Sequence, residues 1–168
     1  KCPLLEKNKL ALKIPGFLLI DTPGHAAFTN LRRRGGALAD IAILIIDIIN
    51  GIQPQTAEAI AILKHNKTPF IIALNKIDAI SGWRKQNNAL KEDIEAQSEL
   101  AKTEFDTKLY TLIGALHNHG FEADIFYNVT DFTKKISVIP CSAKTGEGIQ
   151  ELLMLLCGLS QRFFEKQL

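Results

Sequence analysis

Short, nearly continuous apolar runs recur along this chain, and stretches with helical spacing of apolar residues separate them. The runs lie at residues 17–20, 41–48, 70–74 and 136–141. Strands covered by helices on both faces have this pattern, whereas strands exposed on one face alternate apolar and polar residues. The intervening helical segments are predicted at 55–66, 89–119 and 149–166. Gly120 is predicted to terminate the second of them. The alternation therefore predicts an open α/β sheet of mostly parallel strands, flanked by helices.

The composition, and the absence of linkers and repeats in the sequence, predict a single domain over residues 1–168. The 168 residues carry a net charge of +2 and are 46% hydrophobic, which excludes a disordered tail and a strongly basic nucleic-acid binder. Three cysteines without a CxxC pair argue against a disulfide scaffold and a structural zinc site. Residues 81–88 are predicted as a loop and 122–135 as a short irregular insert, and no linker or repeat divides the chain.

Membrane and secreted classes do not fit the sequence. The most apolar run, residues 41–49, is interrupted by Asp47 and is too short to span a bilayer. The charged residues 1–12 lack the apolar core of a signal peptide and an initiator Met. We therefore expect a cytoplasmic protein without membrane contact, and a chain that begins inside something longer.

Three polar clusters follow directly after predicted strands. They are Asp21-Thr22-Pro23-Gly24-His25, Asn75-Lys76-Ile77-Asp78 and Ser142-Ala143-Lys144. Each taken alone is typical of an ordinary turn or solvated loop. Because ligands of open α/β sheets bind beyond the carboxyl ends of the strands, all three are expected to converge on one crevice.

The first cluster has the chemistry of a phosphate and magnesium site. The Asp21 carboxylate can hold Mg²⁺ directly or through water. Gly24 lets the backbone approach a phosphate oxygen with its N–H directed at the charge. His25 follows at once, in a position to orient a water molecule beside the same phosphate.

The second and third clusters have the chemistry of a guanine site. The carboxylate of Asp78 can accept both N1–H and N2–H of guanine, a donor pair that adenine lacks, and Asn75 supplies an amide. The methylene stem of Lys76 can lie over one face of the base. The third cluster offers backbone N–H groups from its first two residues to a carbonyl oxygen such as guanine O6, with its lysine over the other face.

Taken together and in this order, the clusters resemble the third, fourth and fifth sequence elements of translational GTPases. The strings at 28–40 and 47–59, and the insert containing Gly82-Trp83-Arg84, are similar to the archaeal and eukaryotic initiation factor five B branch of that family, whose bacterial relative is initiation factor two. The resemblance covers residues 14–168. Elongation factors share the three short elements but not the segment 31–36.

The resemblance implies a P-loop GTPase-type fold, GTP or GDP and Mg²⁺ as ligands, and a set of site residues. In such a site Asp21 contacts Mg²⁺ through water, Gly24 hydrogen-bonds the γ-phosphate, and His25 is the catalytic residue that positions the attacking water. Residues 22–36 are the switch whose order depends on the γ-phosphate. The implied nucleotide-binding residues are Asp21, Thr22, Pro23, Gly24, His25, Asn75, Lys76, Asp78, Ser142, Ala143 and Lys144.

The resemblance also implies partners. Family members join the large ribosomal subunit to a small subunit carrying initiator tRNA, and leave after GTP hydrolysis. The expected partners are thus both ribosomal subunits with their rRNA and initiator tRNA, reached through the full-length factor, which is expected to be a monomer. Arg32, Arg33 and Arg34 are equally compatible with rRNA contact and with an exposed helix face.

The sequence departs from the family at its beginning. No Gly-Lys dipeptide occurs, so the phosphate-binding P-loop is absent, together with the first strand and the first switch. We therefore expect weak nucleotide affinity and no useful hydrolysis by this polypeptide alone. The missing strand would lie between residues 17–20 and 41–48, so its loss predicts two unpaired edges and marginal stability.

The expectation is thus a fragment: the C-terminal portion of the G domain of an initiation-factor GTPase. Two alternatives stay open from the residues. One is a stand-alone, non-catalytic module for guanine nucleotides or docking, and the other is a fragment of another translational GTPase. Residues outside the clusters are predicted to have structural roles: Trp83 covers the core, Cys141 packs in it, and Asp93 belongs to a solvated acidic face with Glu92, Glu95, Glu99 and Glu104.

Overall fold

Four parallel strands form one sheet in the order β1-β2-β4-β3, in a computed structural model that describes residues 16–22, 39–86 and 89–164. The strands are β1 (Ala42–Asp47), β2 (Phe70–Asn75), β3 (Glu122–Ile125) and β4 (Lys135–Pro140). The helices are α1 (Pro54–Asn66), α2 (Leu90–Glu95), α3 (Glu99–Asn118) and α4 (Ile149–Phe164), with 3₁₀ turns at Ile77–Ala79 and Phe126–Asn128. The predicted α/β architecture with a parallel sheet is confirmed.

The inner strand β2 is apolar on both faces, and this fixes where the functional ends of the strands lie. Ile71, Ile72 and Leu74 are at most 1% exposed. The pairing of β2 with β1 runs flush to the end, where Asp47 faces Asn75. Leu74 likewise faces Pro140 of β4. The carboxyl ends of these three strands therefore lie side by side at one edge of the sheet.

Helix ends follow local chemistry. Helix α1 begins with Pro54, whose missing N–H costs nothing at a position that lacks an intrahelical acceptor. It ends at Asn66 and is capped by Lys67, which has a φ of 54° and donates its N–H to the carbonyls of Leu63 and Lys64. Helix α3 is followed by Gly120 with a φ of 85°, so the predicted stop at this glycine is confirmed.

The helix predicted over 89–119 is two helices, α2 and α3. Ser98 starts α3, and its hydroxyl accepts a hydrogen bond from the N–H of Ala101 at 3.3 Å. The buried Gln97 side chain donates to the carbonyl oxygens of Asp93 and Arg84, at 2.8 and 2.6 Å. These contacts hold the chain in a turn that the continuous apolar spacing did not reveal.

The insert predicted at 122–135 contains a strand, so its description as irregular was wrong. Strand β3 pairs with β4 in parallel from Glu122↔Lys135 to Ile125↔Val138. Only its second and fourth residues, Ala123 and Ile125, are buried. An alternating strand of this length at the sheet edge lacks the continuous apolar run by which the other strands were recognised.

The strand predicted at residues 17–20 is absent from the described structure, which corrects that prediction. Residues 16–22 have no regular secondary structure, and Leu18 and Leu19 are 87% and 77% exposed. A strand forms only when a neighbour pairs with its backbone N–H and C=O groups. Among the described residues, β1 pairs with β2 alone, and residues 17–20 do not add to its free outer edge.

None of the helices in the described ranges is both long and apolar enough to cross a bilayer.

Candidate functional site

The turns that follow β2 and β4 lie against each other at the carboxyl edge of the sheet. Cys141 donates its N–H to the Leu74 carbonyl at 2.8 Å, and Ile77 donates to the Cys141 carbonyl at 3.3 Å. These two backbone hydrogen bonds extend the pairing one residue beyond the strands. They bring the cluster at 75–78 beside the cluster at 142–144.

Side chains of the second cluster bind directly to the third cluster. The Asn75 Oδ1 atom accepts from the backbone N–H groups of Ala143 at 3.0 Å and Lys76 at 2.8 Å. The hydroxyl of Ser142 donates to Oδ1 of Asp78 at 2.6 Å. Ser142 is fully buried, so its hydrogen bond to Asp78 is partly shielded from competing water. The structure therefore brings these two clusters together, as the strand-end argument predicts.

The loop from Ser142 to Gly148 is held by its own side chains. Ser142 donates its N–H to the Glu147 carbonyl at 2.9 Å, and its hydroxyl accepts from the N–H of Thr145 at 3.1 Å. Gly148 has a φ of 72°, and a Cβ there would lie 2.0 Å from the Pro140 carbonyl oxygen. Only glycine fits this position, so the backbone of the loop is fixed against the end of β4.

Asp47, at the end of β1, is a site residue that the sequence reasoning missed. Its Oδ2 atom lies 2.7 Å from Lys76 Nζ, while Oδ1 accepts from Ile49 N–H and Oδ2 from the Asn50 amide, both at 2.8 Å. Burial raises the pKa of Asp47, but these hydrogen bonds and the lysine charge outweigh it, and the pKa lies below its usual value. The role of Asp47 follows from the register of β1 and β2, which pair up to their last residues and so place Asp47 beside Asn75, next to Lys76.

The surface around Asp78 is polar and open. Asp78 is half-buried, whereas Lys76, Ala143 and Lys144 are exposed around it. Within the described part of the chain, Ser142 is the residue that hydrogen-bonds the Asp78 carboxylate. A carboxylate has about four lone-pair positions, so it can accept further N–H donors beside this serine. The arrangement is suited to a planar ligand with adjacent N–H groups.

The first cluster is placed only in part. Asp21 is exposed and Thr22 half-buried, and neither forms a hydrogen bond with the described residues of the other two clusters. Pro23, Gly24 and His25 lie outside the described residues, as do Arg32, Arg33 and Arg34. The convergence of all three clusters thus stays a prediction for the first one. In the described ranges there is no group of three or more His, Cys, Asp or Glu side chains that could hold a metal ion.

Of the structural roles predicted for Trp83, Cys141 and Asp93, the first two are confirmed and the third is wrong. Trp83 packs against the core with its ring centroid 5.6 Å from that of Phe105, and Cys141 is 2% exposed, as predicted. Burial raises the pKa of the Cys141 thiol to about 11, so it is a protonated packing group. Asp93 is 1% exposed, and its Oδ2 accepts from the N–H of Gln86 at 3.3 Å. Its assignment to a solvated acidic face was wrong, because the side chain is buried and hydrogen-bonded to the backbone at Gln86.

Comparison with known proteins gives relatives for nearly the whole chain. A probable translation initiation factor IF-2 from Methanopyrus kandleri is 54% identical over 167 residues, which is 99% of this chain and 28% of the relative. One from Methanococcus aeolicus is 56% identical over 160 residues, 94% of this chain and 27% of the relative. The chain therefore spans between a quarter and a third of these relatives.

Solved structures agree with this result. GDP-bound aIF5B from Aeropyrum pernix matches with a TM-score of 0.83 and 46% identity, over 94% of this chain and 26% of that one. Translation elongation factor SelB from Methanococcus maripaludis, in complex with a GTP analogue, matches with a TM-score of 0.56 and 23% identity, over 98% of this chain and 31% of that one. This second likeness concerns the fold alone. The profile of the elongation factor Tu GTP binding domain matches residues 6–161, and the chain belongs to that family.

Proposed function

We propose that residues 1–168 are a single, partial GTP-binding domain: the C-terminal portion of the G domain of a translation initiation factor GTPase. Its homology to factors named IF-2, at 54% and 56% identity, supports the initiation-factor assignment over an elongation factor. The higher TM-score of aIF5B compared with SelB, 0.83 against 0.56, points the same way.

The observation that carries the proposal is the link between the two turns at the end of the sheet. Asn75 fixes the N–H of Ala143, and Ser142 fixes the carboxylate of Asp78. Asp78 then accepts N1–H and N2–H of guanine. The backbone N–H groups of Ser142 and Ala143, assigned to O6 from the sequence, are donated in this structure to the Glu147 carbonyl and to Asn75 Oδ1, so they contact O6 only as shared donors. Lys76 and Lys144, both exposed, cover the two faces of the base.

The phosphate side of the proposed site depends on the first cluster. Asp21 carries an exposed carboxylate, which fits a water-mediated contact to Mg²⁺. Thr22, Pro23, Gly24 and His25 are assigned to the γ-phosphate and the attacking water, with His25 as the catalytic residue. Mg²⁺ would supply charge neutralisation at the phosphates. Because the sequence has no Gly-Lys dipeptide, we expect weak affinity and no hydrolysis by this polypeptide alone.

The longer factor is proposed to act in the cytoplasm, as a monomer, on the ribosome. There it would promote joining of the two subunits when initiator tRNA is in place, with rRNA among its contacts. These partners come from the family to which the relatives belong, and the chain spans 28% of the Methanopyrus kandleri factor.

Base selectivity tests the proposal directly. The 168-residue chain is titrated with GMP and AMP and followed by amide chemical shifts, which detect weak binding. We expect shifts for GMP at residues 75–78 and 142–144, and none there for AMP. Asp78→Asn places an amide where guanine presents N–H donors, so affinity for GMP falls by about ten- to hundredfold.

Xanthine provides the matching gain of function. XMP has a carbonyl oxygen where GMP has its 2-amino group, so the amide of the Asp78→Asn variant can donate to it. This variant is expected to bind XMP better than the parental chain does. Asp106→Asn, an exposed carboxylate on α3, is the control and leaves GMP binding unchanged. GMP selectivity that survives Asp78→Asn contradicts the proposed base site.

A further inference from the structure

A buried carboxylate lies between the proposed guanine loop and the segment around Trp83. Glu147 is 5% exposed, and its Oε1 atom accepts from the indole Nε1–H of Trp83 at 3.2 Å. Its Oε2 atom accepts from the Thr145 hydroxyl at 2.8 Å. The backbone oxygen of Glu147 accepts the N–H of Ser142. One residue therefore contacts the tryptophan through its side chain and the guanine loop through its backbone.

The contact continues to the proposed base acceptor. Ser142, held by Glu147, donates its hydroxyl to Asp78 at 2.6 Å. Three hydrogen bonds, joined through the covalent frames of Glu147 and Ser142, thus connect Trp83 with Asp78. Lys85 forms a second contact between the Trp83 segment and the loop, because its Nζ donates to the Thr145 carbonyl at 2.6 Å.

The other side of the Trp83 segment, residues 81–86, is attached to the helices. Arg84 exchanges two hydrogen bonds with the Gln97 side chain, its N–H donating at 2.8 Å and its carbonyl accepting at 2.6 Å. Ser81 donates its N–H to the Glu104 carboxylate of α3 at 3.3 Å. The indole ring packs on Phe105 of the same helix. The segment is therefore a brace between α3 and the guanine loop.

We propose that Glu147 and Trp83 are positioning residues for guanine recognition: the Trp83 segment sets the Ser142 loop, and through it the Asp78 carboxylate, in the geometry that binds the base. The inference rests on the proposed function for the identity of the ligand. It assigns the Trp83 segment, residues 81–86, a role at the nucleotide site although this segment belongs to none of the three clusters.

Trp83→Phe tests the coupling because it removes the indole donor and keeps an aromatic ring on Phe105. We expect GMP affinity of the 168-residue chain to fall by about three- to tenfold, the effect of one lost hydrogen bond. Glu147→Gln is the conservative variant, since its amide oxygen still accepts from Trp83 and its NH₂ can donate to Thr145. It should bind GMP within about twofold of the parental chain.

Ile60→Val is the matched control for stability. Ile60 is 1% exposed on α1, and trimming it destabilises the core without touching the brace. We expect this variant to keep its GMP affinity. If it loses as much affinity as Trp83→Phe, or if Trp83→Phe loses none, the positioning role is wrong.

Hydrogen exchange separates this inference from the proposed function, because it needs no nucleotide. The amides of Ser142 and Thr145 are both hydrogen-bonded within the loop. In Trp83→Phe they should exchange at least about tenfold faster, while amides of α1 keep their rates. Unchanged exchange at both amides overturns the coupling even if GMP binds. Faster exchange in a chain that shows no GMP selectivity supports the coupling and contradicts the guanine site.

Discussion

At the scale of single residues, Gly148 and Lys76 determine the backbone of the two turns that form the candidate site. Both have positive φ, 72° for Gly148 and 68° for Lys76. Glycine adopts this conformation freely, whereas a lysine does so at a cost that its surroundings must offset. The Lys76 N–H contacts Asn75, and its ammonium group contacts Asp47, so both ends of the residue are held.

Gly148→Ala should be strongly destabilising. The new Cβ would lie 2.0 Å from the Pro140 carbonyl oxygen and 3.0 Å from the Cα of Cys141, which are backbone atoms of a paired strand. We expect a loss of about 3 kcal/mol or more in the free energy of unfolding, from left-handed strain plus the clash. Gly146→Ala is the control, with a φ of 80° and open space, and should cost about 1–2 kcal/mol. Equal urea midpoints for the two variants would show that the close approach has no energetic weight.

Asp47→Asn should lower stability in a pH-dependent way. The folded-state pKa of Asp47 lies below its ordinary value of 3.8, so the carboxylate stabilises the fold fully above that pH. This contribution disappears as the pH falls through the lower folded-state pKa. Because the partner Lys76 is 58% exposed, screening limits the effect at pH 7 to about 0.5–1 kcal/mol. Urea denaturation of both proteins between pH 7 and pH 3 measures it. A difference that persists undiminished at pH 3 would mean that lost packing, not lost charge, is responsible.

At the scale of elements, Ser98 determines where α3 begins. Its side chain caps the helix by accepting the Ala101 N–H. Ser98→Ala should therefore cost about 1 kcal/mol of stability. Ser98→Asp keeps an acceptor and adds a negative charge at the helix N-terminus, so it should be at least as stable as the parental chain. Thermal or urea unfolding of the pair tests this, and equal stability of the alanine and aspartate variants would rule out the cap.

The elements predicted correctly from the sequence are those whose signal is contained in one segment. Strand β2 is apolar from Phe70 to Leu74, and α1 starts at a proline, so both were found at nearly their observed bounds. The break between α2 and α3 depends on Gln97, whose partner Arg84 lies 13 residues away. Residues 17–20 have the composition of a strand, yet pairing requires a neighbour that no local pattern provides.

The candidate site divides in the same way. The residue types of the second and third clusters, and their position at strand ends, were enough to predict that they meet. Asp47 was missed because its role depends on strand register, and Glu147 because its partner Trp83 is 64 residues distant. Chemistry within a cluster is therefore visible in the sequence, whereas the residues that support a cluster come from the tertiary fold.

At the scale of the whole molecule, the sheet is asymmetric. The short strand β3 forms one edge of the sheet. The strand at the other edge, β1, carries an apolar residue, Ile45, that is 65% exposed. Among the described residues, the outer edge of β1 pairs with no strand. Unpaired backbone groups beside an exposed apolar side chain are a template for pairing with another chain.

Ile45→Lys should therefore reduce self-association of the 168-residue chain without reducing its stability. A lysine on an edge strand opposes pairing with a second copy through charge and desolvation. Leu100→Lys is the matched control, because Leu100 is 70% exposed on α3, where the helix already satisfies its backbone. Sedimentation velocity over a range of concentrations should show association for the parental chain and for Leu100→Lys, and less for Ile45→Lys. A parental chain that stays monomeric throughout would show that this edge is protected in solution, and equal relief by the two lysines would assign association to exposed apolar surface in general.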